Sequence, residues 1–144
     1  MIQSNLIRLF EDSIRMNWDR NAMSDYGHAK MYTYGDVAER IEKIHILLHE
    51  AGIEKNDKVS LIGKNSCNWA ISYVAVVTYG AIVVPILQDF KPGDVTHIVN
   101  HSESKLILAG DSLWDHLDIN DMKGLVAAIS LNDFRVLAVQ MREL

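Results

Sequence analysis

The sequence lacks the features that define several large classes of protein. One cysteine among 144 residues cannot form an intrachain disulfide, which excludes a secreted scaffold held by cystines. The hydrophobic fraction of 49% excludes a disordered or low-complexity chain. Lysine and arginine form no cluster and the net charge is -5, so nucleic acid and anionic membrane surfaces are poor partners.

The amino terminus lacks the basic and apolar pattern of a secretory leader. Acidic residues already appear at Glu11 and Asp12, so we expect no signal peptide and a cytoplasmic protein. Residues 65–88 carry no charged side chain and are numerous enough to span a bilayer. Gly80 and Pro85 divide this stretch, which predicts a buried helix followed by a buried strand and no transmembrane segment.

Two helices and a hairpin are predicted before residue 58. Residues 5–18 carry apolar side chains at helical spacing, and residues 22–34 suit a short hairpin with glycine in its turn. Thr33 and Asp36 have the spacing of a capping box at the start of a second helix. Gly52 has the position of a left-handed cap at the end of that helix.

From residue 58 onward, predicted strands and helices alternate. The strands cover residues 58–62, 82–86, 105–109 and 125–130, and the helices between them begin at Asn65 or Ser66, at Pro92, and at Asp111 or Ser112. Apolar residues in 132–144 fit a further helix: Phe134, Leu137, Ala138, Met141 and Leu144. The order predicts one α/β domain over residues 1–144, with a mostly parallel sheet and helices on both faces. An amino-terminal helix and a short hairpin precede that sheet.

Phosphate-binding loops are the first chemistry to consider in this fold class. No two glycines are separated by one residue, so a G-x-G-x-x-G motif is absent. The segment Gly63-Lys64-Asn65-Ser66 is similar to the end of a phosphate loop, but Lys58 stands where the earlier glycine is required. We therefore interpret it as a turn between strand and helix with a capping residue.

Two histidine pairs have the i, i+4 spacing that can chelate a metal from one helix face. They are His45/His49 and His97/His101. Neither pair contains the H-E-x-x-H glutamate, and a third ligand is not evident, so solvated histidines are the simpler interpretation.

Acidic and nucleophilic residues also lack a catalytic pattern. Four aspartates form an acidic stretch: Asp111, Asp115, Asp118 and Asp121. The stretch departs from the pattern of a calcium loop at Met122, so a solvated face is the favoured interpretation. Cys67 has no histidine nearby in sequence and is interpreted as a packed residue. Five aromatic residues are interpreted as core rather than as base-stacking platforms: Tyr32, Tyr34, Trp69, Tyr73 and Tyr79. We predict no catalytic, cofactor-binding or metal-ligating residue in this chain.

A series of segments in order carries a family resemblance that no single motif carries. The segments are Leu9–Asp12, Thr33–Val37, Ala51–Val59, Asn65–Trp69, Gly80–Ile86 and Val95–Leu108. Over residues 6–110 the chain resembles the beginning of an adenylate-forming enzyme, the superfamily of acyl-CoA synthetases and luciferases. Thr33–Val37 is similar to the T-Y-x-E-L segment of the family and Gly80–Pro85 to its G-A-x-x-V-P segment. Asn65–Trp69 most resembles the long-chain fatty-acid CoA ligases.

The resemblance implies a two-step reaction. A carboxylate attacks ATP to give an acyl-adenylate, and the thiol of CoA then displaces AMP, with Mg²⁺ as the metal. The phosphate loop, magnesium ligand, ribose-binding residues and lysine of the family have no matching position here. The chain is therefore expected to be the N-terminal segment of a larger AMP-binding domain, inactive alone and partnered by the remainder of the synthetase.

Two other classes of function stay open at this point. An autonomous α/β module of the receiver type is one, although Gly63-Lys64 follows the first strand where a receiver needs paired acids. A pure interaction module is the other. We also expect self-association through strand edges, with Val59–Ile62, Ile82–Ile86 and Leu106–Ala109 as the candidates.

Overall fold

The computed structural model describes residues 2–141, with side chains from residue 6 onward. Its helices are α1 (Ile2–Met16), α2 (Tyr34–Glu50), α3 (Cys67–Tyr79), α4 (Pro92–Ser102) and α5 (Asp111–Trp114), followed by a 3-10 turn at Ile119–Asp121. Its strands are β1 (Asn21–Ser24), β2 (Met31–Thr33), β3 (Lys58–Ile62), β4 (Ile82–Ile86), β5 (Leu106–Ala109), β6 (Ala127–Ser130) and β7 (Val136–Val139).

The main sheet has five strands in the order β4-β3-β5-β6-β7. Four of them are parallel, with Val59 beside both Val83 and Leu106 in the register, and β7 alone runs antiparallel to β6. The first two strands, β1 and β2, form a separate antiparallel hairpin whose turn contains Gly27 at φ +80°. The predicted architecture of an α/β chain with a mostly parallel sheet is confirmed.

Both faces of the sheet are covered, because successive strand residues point to opposite sides. Leu106 and Leu108 lie in a core with α2 and α3, which contribute Ile44, Leu48 and Ile71. Ile107 and Ala109 lie in a second core with α4, which contributes Val95 and Val99. All four residues of β5 are buried, which explains its continuous apolar sequence.

Local signals placed the start of α3 and the end of α2 correctly. Ser66 accepts a hydrogen bond from the Trp69 amide at 3.1 Å and caps α3. At the end of α2, Gly52 has φ +79°, and the Ile53 amide donates to the Leu48 carbonyl at 3.0 Å. This Schellman arrangement requires a residue that tolerates positive φ, and it buries Ile53 against the core.

Residues 132–144, which the apolar spacing left ambiguous although it fits a helix, form no helix over the described part of that segment. Phe134 has φ +62° in a turn and is buried, and Val136–Val139 pairs with β6 as a strand. The free edge of β6 and the β-branched valines favour pairing over a last helix. Leu144 lies outside the described residues. The first helix also ends earlier than predicted, and Trp18 lies beyond it with its indole against Gly35.

The predicted strand edges also need correction. Val59–Ile62 and Leu106–Ala109 lie inside the sheet, since each has a neighbour on both sides. Of the three candidates only Ile82–Ile86 is an edge, and Pro85 interrupts its hydrogen-bonding capacity. The opposite edge is Val136–Val139, a strand that the apolar spacing did not predict.

Candidate functional site

A cleft lies at the carboxyl ends of the parallel strands. The chain passes from β3 to β4 on one side and then returns to β5 on the other, so the direction of winding reverses between β3 and β5. Ligands of open α/β sheets bind in the crevice at such a switch point. Here the cleft has a volume of about 690 Å³ and lies between the β1–β2 hairpin and the segments that follow β3 and β5.

Close approach of two turns forms the floor of the cleft. The Gly63 and Gly110 backbones, which follow β3 and β5, are adjacent, and a Cβ at Gly63 would lie 2.6 Å from Leu131 Cδ2. A larger residue at position 63 would therefore force the buried Leu131 side chain to move. This geometry supports the interpretation of Gly63–Ser66 as a turn and cap.

Two amide groups at the start of α3 are already engaged. The Cys67 amide donates to Asp25 Oδ1 of the hairpin at 2.8 Å, and Ser66 Oγ accepts from the Trp69 amide. A helix amino terminus attracts anions, and here the carboxylate of Asp25 is that anion. The contact attaches the hairpin to α3, and it occupies the position at which a phosphate would sit.

A polar network joins the ends of β5 and β6. Asp111 accepts from Ser130 Oγ at 2.6 Å through one oxygen and pairs with Arg135 at 2.8 Å through the other. Arg135 also pairs with Asp133 at 2.8 Å, and the two aspartates raise the pKa of its guanidinium. The Asp111 amide donates to Asn132 Oδ1 at 3.0 Å, which completes the connection between the two strand ends.

Asn68 joins α3 to the same network. Its Nδ2 donates to the carbonyls of Leu131 and Asn132 at 2.9 and 3.1 Å. Its Oδ1 is buried and has no partner among the described residues. Sequence reasoning missed this whole network, although short polar runs directly after β3, β5 and β6 were the available signal.

The cleft has the shape of a receiver site without the chemistry of one. Asp111 follows the third strand of the sheet, where a receiver carries its phosphoacceptor, but both of its oxygens are engaged. Gly63 and Lys64 follow β3, the first strand of the main sheet, in place of the acids with which a receiver would bind a metal. Within the described residues, no group of three or more His, Cys, Asp or Glu side chains is placed to hold a metal ion.

Cys67 and the acidic stretch, which were considered as possible catalytic or metal-binding groups, do not form a common site. Cys67 is buried, as expected of a packed residue. Burial is the main cause that raises the pKa of its thiol, and the nearby Asp25 carboxylate raises that pKa further. In the acidic stretch Asp118 caps the 3-10 turn by accepting from the Asn120 amide at 2.9 Å. The aromatic interpretation needs correction at Tyr73, which is 39% exposed and stacks on Trp69.

The two histidine pairs also have different surroundings. His45 is half-buried against α3, whereas His97 and His101 are both exposed on α4. The uncharged stretch 65–88 forms α3 and β4, as predicted, but the strand is not buried: β4 is an edge strand in which Ile82 and Pro85 are exposed and only Ile86 is buried. Among the described helices none combines the length and the apolar character needed to cross a membrane.

Comparisons with known proteins give one consistent result. The sequence pattern of the family described as AMP-binding enzyme matches residues 10–139. Long chain acyl-CoA synthetase 1 of Arabidopsis thaliana is 29% identical over 111 residues, which is 77% of this chain and 17% of that protein. Surfactin synthase subunit 2 of Bacillus subtilis (strain 168) is 27% identical over 106 residues, which is 74% of this chain and 3% of that protein.

The fold agrees with these sequence similarities. Coronafacic acid ligase from Pectobacterium brasiliense superposes with a TM-score of 0.81 at 19% identity, over 88% of this chain and 25% of that one. At this identity the likeness shows the fold alone. The chain spans less than a fifth of the length of the curated relatives described above.

Proposed function

Because this chain belongs to the AMP-binding enzyme family, we propose that it forms the first α/β segment of an acyl-CoA synthetase. The whole enzyme would activate a carboxylate with ATP to an acyl-adenylate and transfer the acyl group to CoA. The observation that carries the proposal is the family match over residues 10–139, which extends beyond the 6–110 segment that carried the resemblance.

A long-chain fatty acid is the substrate class that we favour. The similarity to a long chain acyl-CoA synthetase over 111 residues supports it, as does the Asn65–Trp69 segment. In the structure this segment is the capped start of α3, where Asn68 connects the helix to the turn after β6. We therefore propose that the segment positions α3 and does not act as a catalytic group.

The described residues do not fit ATP and Mg²⁺. Asp25 fills the amino terminus of α3, and Asp111 is engaged by Ser130 and Arg135. Phosphoryl and adenylyl transfer depend on positioned cations and amide donors, and here Asp25 takes the Cys67 amide while Arg135 is paired with Asp111 and Asp133. We propose that the chain alone is inactive and that the ATP, Mg²⁺ and CoA sites belong to the rest of the enzyme.

Two experiments test these proposals separately. Calorimetric titration of the chain with MgATP is expected to show no sub-millimolar affinity, and measurable binding at that level would contradict its inactivity alone. For the family function, residues 10–139 would replace the corresponding segment of the Arabidopsis long chain acyl-CoA synthetase 1, with pyrophosphate release and acyl-CoA formation as readouts.

A matched chimera keeps the second experiment specific. The same residues would replace the corresponding segment of Surfactin synthase subunit 2, and pyrophosphate release would be measured with that enzyme's own substrates. We expect activity in the long-chain chimera and loss in the surfactin chimera. The reverse result would assign the segment to the other branch of the family, and a folded but inactive pair would contradict the proposed role.

We also propose a cytoplasmic location and association through the free edge of β7. Val136 and Val139 are 55% and 60% exposed there, and residues 136–141 contain no charge, glycine or proline to guard the edge. In a whole synthetase the partner of this edge would be a later segment of the enzyme. For the chain alone we propose a second copy, paired antiparallel about a two-fold axis.

A further inference from the structure

The structure separates two histidine pairs that have the same spacing in sequence. In the first pair, His45 is half-buried, and its Nε2 lies 2.9 Å from the Ala75 carbonyl and 3.0 Å from Thr78 Oγ1. His49, one turn later, is exposed. The His45 ring is therefore committed to the contact between α2 and α3 and cannot turn outward to share a ligand with His49.

The second pair has the opposite character. His97 and His101 are both exposed on α4, and their rings face each other with centroids 5.8 Å apart and planes inclined by 17°. Neither residue lines the cleft at the switch point. Asn100, which lies between them in sequence, turns away and donates to the Asp121 carbonyl at 3.0 Å.

We propose that His97 and His101 form a two-imidazole site for a divalent transition-metal ion, with Cu²⁺ bound more tightly than Ni²⁺ or Zn²⁺. Imidazole nitrogen binds such ions at about 2.0–2.1 Å, and two histidines at i, i+4 can reach one ion from a single helix face. Facing rings need only a rotation of their side chains to direct one nitrogen each at a shared ion.

The rest of the coordination comes from water. Within the described part of the chain no third His, Cys, Asp or Glu side chain completes a protein site. An open two-histidine site suits Cu²⁺ and Ni²⁺, which accept nitrogen and water ligands in tetragonal or octahedral geometry. Hard cations such as Mg²⁺ prefer oxygen ligands and should not bind here.

Helical geometry couples the site to folding. The two rings face each other only while α4 is formed, and α4 is fixed by Pro92 in its first turn and by packing of Val95 and Val99. An ion that binds the folded chain more tightly than the unfolded chain raises the unfolding temperature. Binding should therefore appear both in a titration and in thermal unfolding.

Calorimetric titration of the untagged chain with CuCl₂, NiCl₂, ZnCl₂ and MgCl₂ at pH 7.5 is the test. We expect one Cu²⁺ per chain, weaker Ni²⁺ and Zn²⁺ binding, no Mg²⁺ binding, and a higher unfolding temperature with Ni²⁺. The variants His97→Gln and His101→Gln should each weaken Cu²⁺ binding at least tenfold. The control His49→Gln removes an exposed histidine of the other pair and should change affinity less than twofold.

An equal loss in His49→Gln, or no Cu²⁺ binding at millimolar concentration, would overturn the proposal. Retention of Cu²⁺ affinity in both His97→Gln and His101→Gln would overturn it as well.

Discussion

The junction between the hairpin and α2 depends on one threonine, and its removal gives the sharpest stability prediction. Thr33 Oγ1 accepts from the Asp36 amide at 3.1 Å, and Asp36 Oδ2 accepts from the Thr33 amide at 2.9 Å. Thr33 also ends β2, and the next amide, that of Tyr34, donates to the Arg20 carbonyl at 3.0 Å. The capping box thus fixes the start of α2 and its connection to the hairpin.

Thr33→Ala removes one of the two reciprocal bonds and leaves the Asp36 amide without its partner. Loss of such a cap costs about 0.5–2 kcal/mol of the free energy of unfolding, typically about 1 kcal/mol. For a chain of this size a loss of about 1 kcal/mol lowers the unfolding temperature by about 2–4 °C. Thr33→Ser keeps the hydroxyl and should retain most of the stability.

Urea unfolding followed by far-ultraviolet circular dichroism measures the effect. The midpoint should fall in Thr33→Ala with an unchanged slope, because the folded and unfolded surfaces stay nearly the same. Hydrogen bonds from Thr33 lower the pKa of the Asp36 carboxyl, so the contribution of Asp36 should disappear as pH falls through that lowered pKa. An unchanged midpoint in Thr33→Ala, or an equal loss in Thr33→Ser, would refute the capping argument.

Three further predictions concern His45, Glu103 and Val139. Burial holds the pKa of His45 below its ordinary value of 6.5, so stability should fall as pH drops below that value; urea midpoints at pH 7.5 and 5.5 should differ less in His45→Gln than in the original chain. Glu103 caps α4 at φ 59°, so Glu103→Gly should raise the thermal unfolding midpoint and Glu103→Ala should not. Light scattering over a concentration series should show dimers at tens of micromolar that Val139→Lys abolishes and the exposed control Met16→Lys preserves; a monomer at every concentration would contradict edge pairing.

Local signals predicted most of the elements because their causes are local. The Thr33–Asp36 box, the Ser66 cap and the glycines at 52 and 80 depend on atoms within a few residues of one another. The parallel sheet was predictable because strands buried on both faces must be apolar throughout. The fit of residues 132–144 to a helix failed because spacing alone does not show that the edge of β6 is free to pair.

The sequence showed the polar runs after β3, β5 and β6, but it did not show which of their side chains meet at the cleft. Asp111 and Ser130 are distant in the chain and meet because β5 and β6 are neighbours whose carboxyl ends lie at one edge. Asp25 reaches the amino terminus of α3 only through the position of the hairpin. Each group looks like an ordinary turn or capping residue when it is read in sequence.

Most elements other than β7, the parallel α/β class and the family could be inferred from the sequence, because these depend on periodicity, caps and the order of segments along the chain. The packing of the elements determines which groups are available for chemistry. Asp111 is hydrogen-bonded to Ser130, the amino terminus of α3 to Asp25, and His45 to α3. His97 and His101 face each other in solvent. The physical reason is that availability depends on which distant side chain satisfies a polar group, and the packing of elements makes that choice.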